Sequence, residues 1–145
     1  MPTLKGLVSI LLLTLNTLFW GVPLIILTLI KLITPGRPLR RLVLRGLNGV
    51  ALNWIGLNLW WMRHWLKPRL DLEIPEGLSR DQWWLVVSNH RSWTDIFVLF
   101  FALHRRIPMP RFFLKRQLIW IPIVGLAWWA LEYPFMRRMS AEQRA

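Results

Sequence analysis

The sequence predicts an α/β protein in two parts: an amino-terminal hydrophobic helical membrane hairpin, then a partial, mainly parallel sheet with helices. Three observations carry this expectation. Gly6 to Ile30 hold no charge over 25 positions, and Gly46 to Met62 hold none over 17. Beyond Pro68, short β-type runs alternate with apolar helical runs, the pattern of a parallel sheet built through right-handed crossovers. Hydrophobicity falls at Pro68 and again at Pro75-Glu76-Gly77, which divides the chain into an anchor, residues 1–69, and a head, residues 70–145.

The first apolar run exceeds the ~20 residues that a helix needs to cross the hydrocarbon core. It lacks the shorter apolar region and small-residue cleavage site of a secretory signal. Asn16 and Pro23 interrupt it, and a membrane helix tolerates both. The second run is short and contains Asn48, Asn53 and Asn58. At about 100° per residue these amides spread around a helix and form no polar stripe. Positive charge flanks both runs: Lys5 before, Lys31, Arg37, Arg40, Arg41 and Arg45 between, Arg63, Lys67 and Arg69 after. Two full crossings would strand the basic connector on the side that positive charge avoids. The expectation is therefore a hairpin dipping into the membrane from the cytoplasmic face, with Arg40 and Arg41 at anionic headgroups. One true span followed by an interfacial helix is the competing arrangement.

In the head, Leu70–Ile74 alternates with period two and reads as a half-exposed strand, and Trp83–Ser88 reads as a buried one. Thr94–His104 reads as a helix, Arg111–Lys115 as a strand, Gln117–Leu131 as a helix interrupted at Pro122, and Glu132–Arg138 as a further strand. Parallel sheets are normally covered on both faces, so a head of this size is expected to be marginally stable.

One heptapeptide concentrates the chemistry: Asn89-His90-Arg91-Ser92-Trp93-Thr94-Asp95. It falls between a predicted strand and a predicted helix, where open α/β sheets place their sites. An imidazole paired with a carboxylate is held in one tautomer and becomes a better base. The same residues also spell a helix cap, with Ser92 at the N-cap and Asp95 three positions on. Both readings hold together if one carboxylate serves both purposes.

The heptapeptide resembles the His-x4-Asp motif of the glycerolipid acyltransferases, in the fuller form Asn-His-x-Ser-x-x-Asp. Phe112-Phe113-Leu114-Lys115-Arg116-Gln117-Leu118, followed by Pro122 and Gly125, resembles that family's second block, although many relatives carry Glu where Gln117 stands. Pro134-Phe135-Met136-Arg137-Arg138 resembles the segment ending in Phe-x-x-Arg, and a hydrophobic anchor upstream is usual in bacterial lysophosphatidic acid acyltransferases. The family's third block, Glu-Gly-Thr-Arg, and its Pro-centred fourth would lie beyond Ala145, so the chain is expected to be an amino-terminal portion of a longer enzyme. The resemblance implies transfer of a fatty acyl group from acyl-CoA or acyl carrier protein to the hydroxyl of 1-acyl-glycerol-3-phosphate (lysophosphatidic acid), giving phosphatidic acid, with no cofactor beyond the thioester. It implies His90 as the base, Asp95 as its orienting acid, and Arg138 as the phosphate ligand. Lys115, Arg116 and Asn89 are further substrate-binding candidates.

Composition agrees with a lipid partner. Hydrophobic residues make up 54% of the chain, with 11 Trp, and the net charge is +12, carried by 15 Arg among 19 basic residues. Trp favours membrane interfaces, and guanidinium suits phosphate. No nucleic-acid module is evident. The absence of cysteine excludes disulfides and thiolate metal sites, and His64 and His104 lack ligand spacing with His90. The expected location is the bacterial inner membrane, head toward the cytoplasm. The alternatives are an acyltransferase acting on another lysophospholipid, and an inactive membrane protein that only binds anionic lipid.

Overall fold

The computed structural model describes residues 2–89, 91–92 and 94–136. Helix α1 spans Pro2–Ile33 and runs unbroken through Pro23. Its 32 residues reach about 48 Å at 1.5 Å per residue, and it is the one described helix long and apolar enough to cross a membrane. Gly36, at φ 91, closes the connection to α2 (Arg37–Trp61), which has Pro at its first turn. Proline fits there because the first helical amides lack intrahelical acceptors.

The two helices are antiparallel. Asn16 reaches Asn58 near one end, and a Cβ on Gly46 would touch Leu27 toward the other. Helix α2 loosens into a π-helical turn at Met62–Leu66 and stops at Lys67, a left-handed residue (φ 48) whose amide returns to Met62 O. Pro68 follows, and the helix cannot resume. The three amides of α2 do spread around it. Asn48 bonds back to Leu44 O, Asn53 accepts from Arg105, and Asn58 accepts from Asn16.

Two predicted strands are corrected. Leu70–Ile74 and Trp83–Ser88 form no regular strand. In the second, Trp83, Leu85 and Val87 are 91%, 91% and 85% exposed, while Trp84 and Val86 are 39% and 40%. The run is exposed rather than buried as expected, and among the described residues no neighbouring strand takes up its amides. A strand without a ladder partner leaves its backbone groups to water, and an isolated pair is marginal in any case.

The described regular structure is therefore mostly helical. Helix α3 covers Thr94–Leu103, β1 Leu114–Lys115, a 3₁₀ turn Arg116–Trp120, α4 Val124–Ala130, and β2 Phe135–Met136. β1 and β2 pair in parallel, Leu114 opposite Phe135 and Lys115 opposite Met136. A helical crossover joins them, as parallel neighbours require. The expected helix Gln117–Leu131 breaks in two because Pro122 has no amide to give and Ile123 adopts φ 61, a region costly for a β-branched residue. Gly125 is needed where it stands: a Cβ there would overlap the Ile119 carbonyl oxygen and come within 2.9 Å of Leu118 O.

One core serves both parts. Leu24, Val43, Leu47 and Ala51 of the hairpin pack with Leu114, Ala127, Ala130, Leu131 and Tyr133 of the head. Leu24 and Leu47 are wholly buried, each contributing roughly 1.5–3 kcal/mol by leaving water.

Candidate functional site

The site is built at the amino end of α3. Here the polar run Asn89–Asp95 meets a helix whose following residues, Ile96 to Leu103, are apolar. The first amides of a helix have no carbonyl partners within it. Asp95 supplies one: its Oδ2 accepts from the Arg91 amide at 2.6 Å and the Ser92 amide at 2.7 Å. Ser92 answers with its own oxygen. Thr94 N donates to Ser92 Oγ at 3.2 Å, Ser92 Oγ and Thr94 Oγ1 lie 2.7 Å apart, and Asp95 N reaches Ser92 O at 3.1 Å. This is the reciprocal cap that the sequence spells, and the carboxylate sits at the helix end that favours negative charge. Both of these amides bond to the same oxygen.

Helix α3 is tied to the paired strands by aromatic contacts. The Phe100 ring meets Phe112, just before β1, edge-on at 5.8 Å, and Phe112 lies 6.4 Å from Tyr133, just before β2. Tyr133 donates its hydroxyl to Pro110 O at 2.7 Å, and burial pushes its phenol well above the usual range. These rings fix where the capped end of α3 lies relative to β1.

Of the residues expected at the site, Asp95 is partly buried in the cap just described. Asn89 is exposed, and Ser88 Oγ donates to its carbonyl at 3.3 Å. Lys115 ends β1 and Arg116 opens the 3₁₀ turn, both exposed and with no hydrogen bond or ion pair among the described residues. They form a basic pair beside Met136, two positions before Arg138 in the chain. His90 and Arg138 lie outside the described residues. No group of three or more His, Asp or Glu gathers in a metal-binding arrangement among the described residues. His64 turns its Nδ1 to Trp60 O, and its ring lies tilted against that of Trp60 at 4.9 Å.

The profile of the Acyltransferase family matches residues 69–145, more than half of the chain. The chain belongs to the acyltransferase family. No curated protein and no solved structure matches it. Acyl transfer is thus the chemistry of this acyltransferase, and the matched region contains the capped turn, the Lys115–Arg116 pair and both strands.

Two features of the acyltransferase escaped the sequence reading. Glu132 accepts from Lys31 Nζ at 2.9 Å and from Arg40 at 2.8 Å, tying the turn end of the hairpin to the head, and Lys31 also donates to Ala130 O. These two cations hold the Glu132 carboxyl below its usual range, the Lys31 hydrogen bond foremost. The signal was present, since Glu132 is the one acid between Asp95 and Glu142 in a strongly basic stretch. His104 is the second: it presses on α2 at Gly56, and burial, then Arg105 and Arg80, lower its pKa.

Proposed function

We propose that the protein is an O-acyltransferase of phospholipid synthesis that converts 1-acyl-glycerol-3-phosphate to phosphatidic acid at the cytoplasmic face of a bacterial inner membrane. The acceptor hydroxyl gives its proton to His90 as its oxygen attacks the thioester carbonyl of acyl-CoA or acyl carrier protein. The carbon–sulfur bond then breaks, and the thiolate leaves with the proton that His90 returns. An imidazole of ordinary pKa near ~6.5 is suited to both transfers, and Asp95 orients the ring and stabilises the imidazolium.

The observation that carries this reading is the Asp95 clamp. Asp95 accepts from the Arg91 and Ser92 amides, so one carboxylate holds the turn in the motif that the base belongs to. Lys115 and Arg116, exposed and unpaired among the described residues, are proposed with Arg138 and Asn89 as ligands for the substrate phosphate. The hairpin, residues 1–69, is proposed as the membrane anchor. Pairing of Lys31 and Arg40 with Glu132 supports a shallow course. Two full crossings would put those cations across the bilayer from the head.

The acceptor is tested by offering membranes containing the protein labelled acyl-CoA with lysophosphatidic acid, lysophosphatidylcholine or lysophosphatidylglycerol. Label in phosphatidic acid is expected; label in another product alone would reassign the acceptor. A second reading, a protein that only binds anionic lipid, is favoured by the uncovered run Trp83–Val87. Phosphatidic acid formation by the purified 145-residue chain would exclude it.

A further inference from the structure

Glu132 occupies a position that glycine usually fills. Helix α4 ends in two reversed bonds: the Tyr133 amide returns to Trp128 O at 2.9 Å and the Glu132 amide to Trp129 O at 3.0 Å. This is the Schellman ending, whose left-handed residue is most often Gly. Glu132 holds it at φ 62, in a region that residues with a Cβ rarely adopt. A charged side chain kept at a strained position points to a use for that side chain.

The carboxylate meets both helices of the hairpin. Its Oε1 accepts from Lys31, in the last turn of α1, at 2.9 Å and from Arg40, in the first turn of α2, at 2.8 Å. The Lys31 side chain is 8% exposed and also donates to the carbonyl of Ala130, the last residue of α4, at 2.6 Å. The first acid in the chain is Asp71, so the cations of the hairpin turn find no carboxylate within the hairpin and pair with the head instead. Beyond Glu132 the chain runs directly into the strand pair. Leu114 N bonds to Pro134 O at 2.9 Å, and Phe135 and Met136 lie opposite Leu114 and Lys115. The exposed basic turn, with Arg37, Arg40 and Arg41, is thus linked through one side chain to the strands that carry Lys115.

We propose that Glu132 is a positioning residue for acyl transfer, which sets the height of the β1–β2 pair over the lipid headgroups by clamping it to the basic turn of the hairpin. The inference rests on the reading of the hairpin as the membrane anchor and of Lys115, Arg116 and Arg138 as ligands of the acceptor phosphate. A bilayer fixes the level at which the phosphate of a long-chain lysophosphatidic acid lies, so the cations that bind it must be held at the matching level. An acceptor dissolved in water makes no such demand.

The test uses the full chain in nanodiscs of phosphatidylcholine and phosphatidylglycerol. Glu132→Gly removes the carboxylate and relaxes the backbone at the same position, so the fold should survive, with the thermal midpoint as the check. Arg40→Gln, at a half-exposed site, leaves the buried Lys31 bonded to Glu132 and is the second variant, should the first not fold. KM for membrane-borne oleoyl lysophosphatidic acid should rise about tenfold in Glu132→Gly and less in Arg40→Gln, with kcat little changed. KM for acyl-CoA and for a water-soluble hexanoyl analogue of the acceptor should stay as in the natural protein. Glu73→Gln, an exposed acid outside the junction, should alter none of these. A fluorophore on a single Cys at Met136, exposed in β2, reports height directly, and its quenching by a headgroup nitroxide lipid should fall in both variants. Equal rises in KM for the two acceptors, or quenching that does not fall, would overturn the proposal. If the natural protein transfers no acyl group to lysophosphatidic acid, the acceptor reading fails, and the quenching still decides whether Glu132 sets the height.

Discussion

Asp95 bears both readings of the sequence: it caps α3 through Oδ2, which accepts from the Arg91 and Ser92 amides, and it is proposed to orient His90. Asp95→Asn retains an amide oxygen for the cap but loses the charge that would stabilise an imidazolium. It should lower turnover ~10²–10⁴-fold with little loss of stability, measured as initial rate beside thermal midpoint. Ser92→Ala should do the opposite. It removes the oxygen that Thr94 N uses and should cost about 1 kcal/mol of stability, read by denaturant unfolding. Gly125 makes a third case. Its Cβ-free backbone passes against the Ile119 carbonyl, so Gly125→Ala should cost about 2–3 kcal/mol through overpacking.

At the scale of elements, the helices were legible and most of the strands were not. The charge-free runs and the cap at Ser92 mark α1, α2 and α3 because those signals are local to the helix they describe. Pro122 likewise announced the break between the 3₁₀ turn and α4. The alternation of Leu70–Ile74 and the apolar run Trp83–Ser88 both misled, because each reports what a strand would bury, while the strand's existence depends on a neighbour remote in sequence. The parallel pairing of β1 and β2 was anticipated in type, though only two residues of each predicted strand form it. The partners of Glu132 were hidden for the same reason, although its isolation in a basic stretch marked the carboxylate itself. Glu132 joins α1, α2 and the head, and its depressed pKa makes that junction sensitive to acid. A carboxyl held low stabilises the fold above its unfolded value of 4.5 and loses that contribution as pH falls through its folded value. His104, lowered from 6.5, acts earlier: below pH 6.5 the unfolded chain binds a proton that the folded chain resists, so stability declines there too. Unfolding followed from pH 8 to pH 3 should therefore weaken in two stages. Glu132→Gln should remove the later stage and cost about 1–3 kcal/mol near neutrality, since Lys31 is 92% buried and would lose its carboxylate.

For the whole molecule, the shared core makes the helical hairpin and the acyltransferase region one cooperative unit. Leu24 and Leu47 fill the junction, and Leu47→Ala should cost ~2–5 kcal/mol and loosen both parts together. The opposite side of α1 presents Leu11, Leu15, Leu18, Val22, Ile25, Leu29 and Leu32, an apolar stripe along nearly its full length. That stripe, facing away from the head, suits a hairpin laid into one leaflet. The chain lacks cysteine, so a single Cys at Pro35 is a clean reporter: an impermeant maleimide should label it from the cytoplasmic side, and labelling from the opposite side alone would support two crossings. The sequence disclosed this basic-flanked, apolar plan because charge and hydropathy are additive along a chain. It did not disclose the docking of head on hairpin, which depends on Ile123 meeting Gly21 and on Lys31 reaching the Ala130 carbonyl. The central claim is that this unit presents His90, fixed through Asp95, to a lipid hydroxyl. Its most direct test is the initial rate of acyl transfer from labelled acyl-CoA to lysophosphatidic acid in membranes bearing equal amounts of the natural protein or His90→Ala. The account predicts a loss of ~10²–10⁴-fold; a His90→Ala rate equal to that of the natural protein would contradict it.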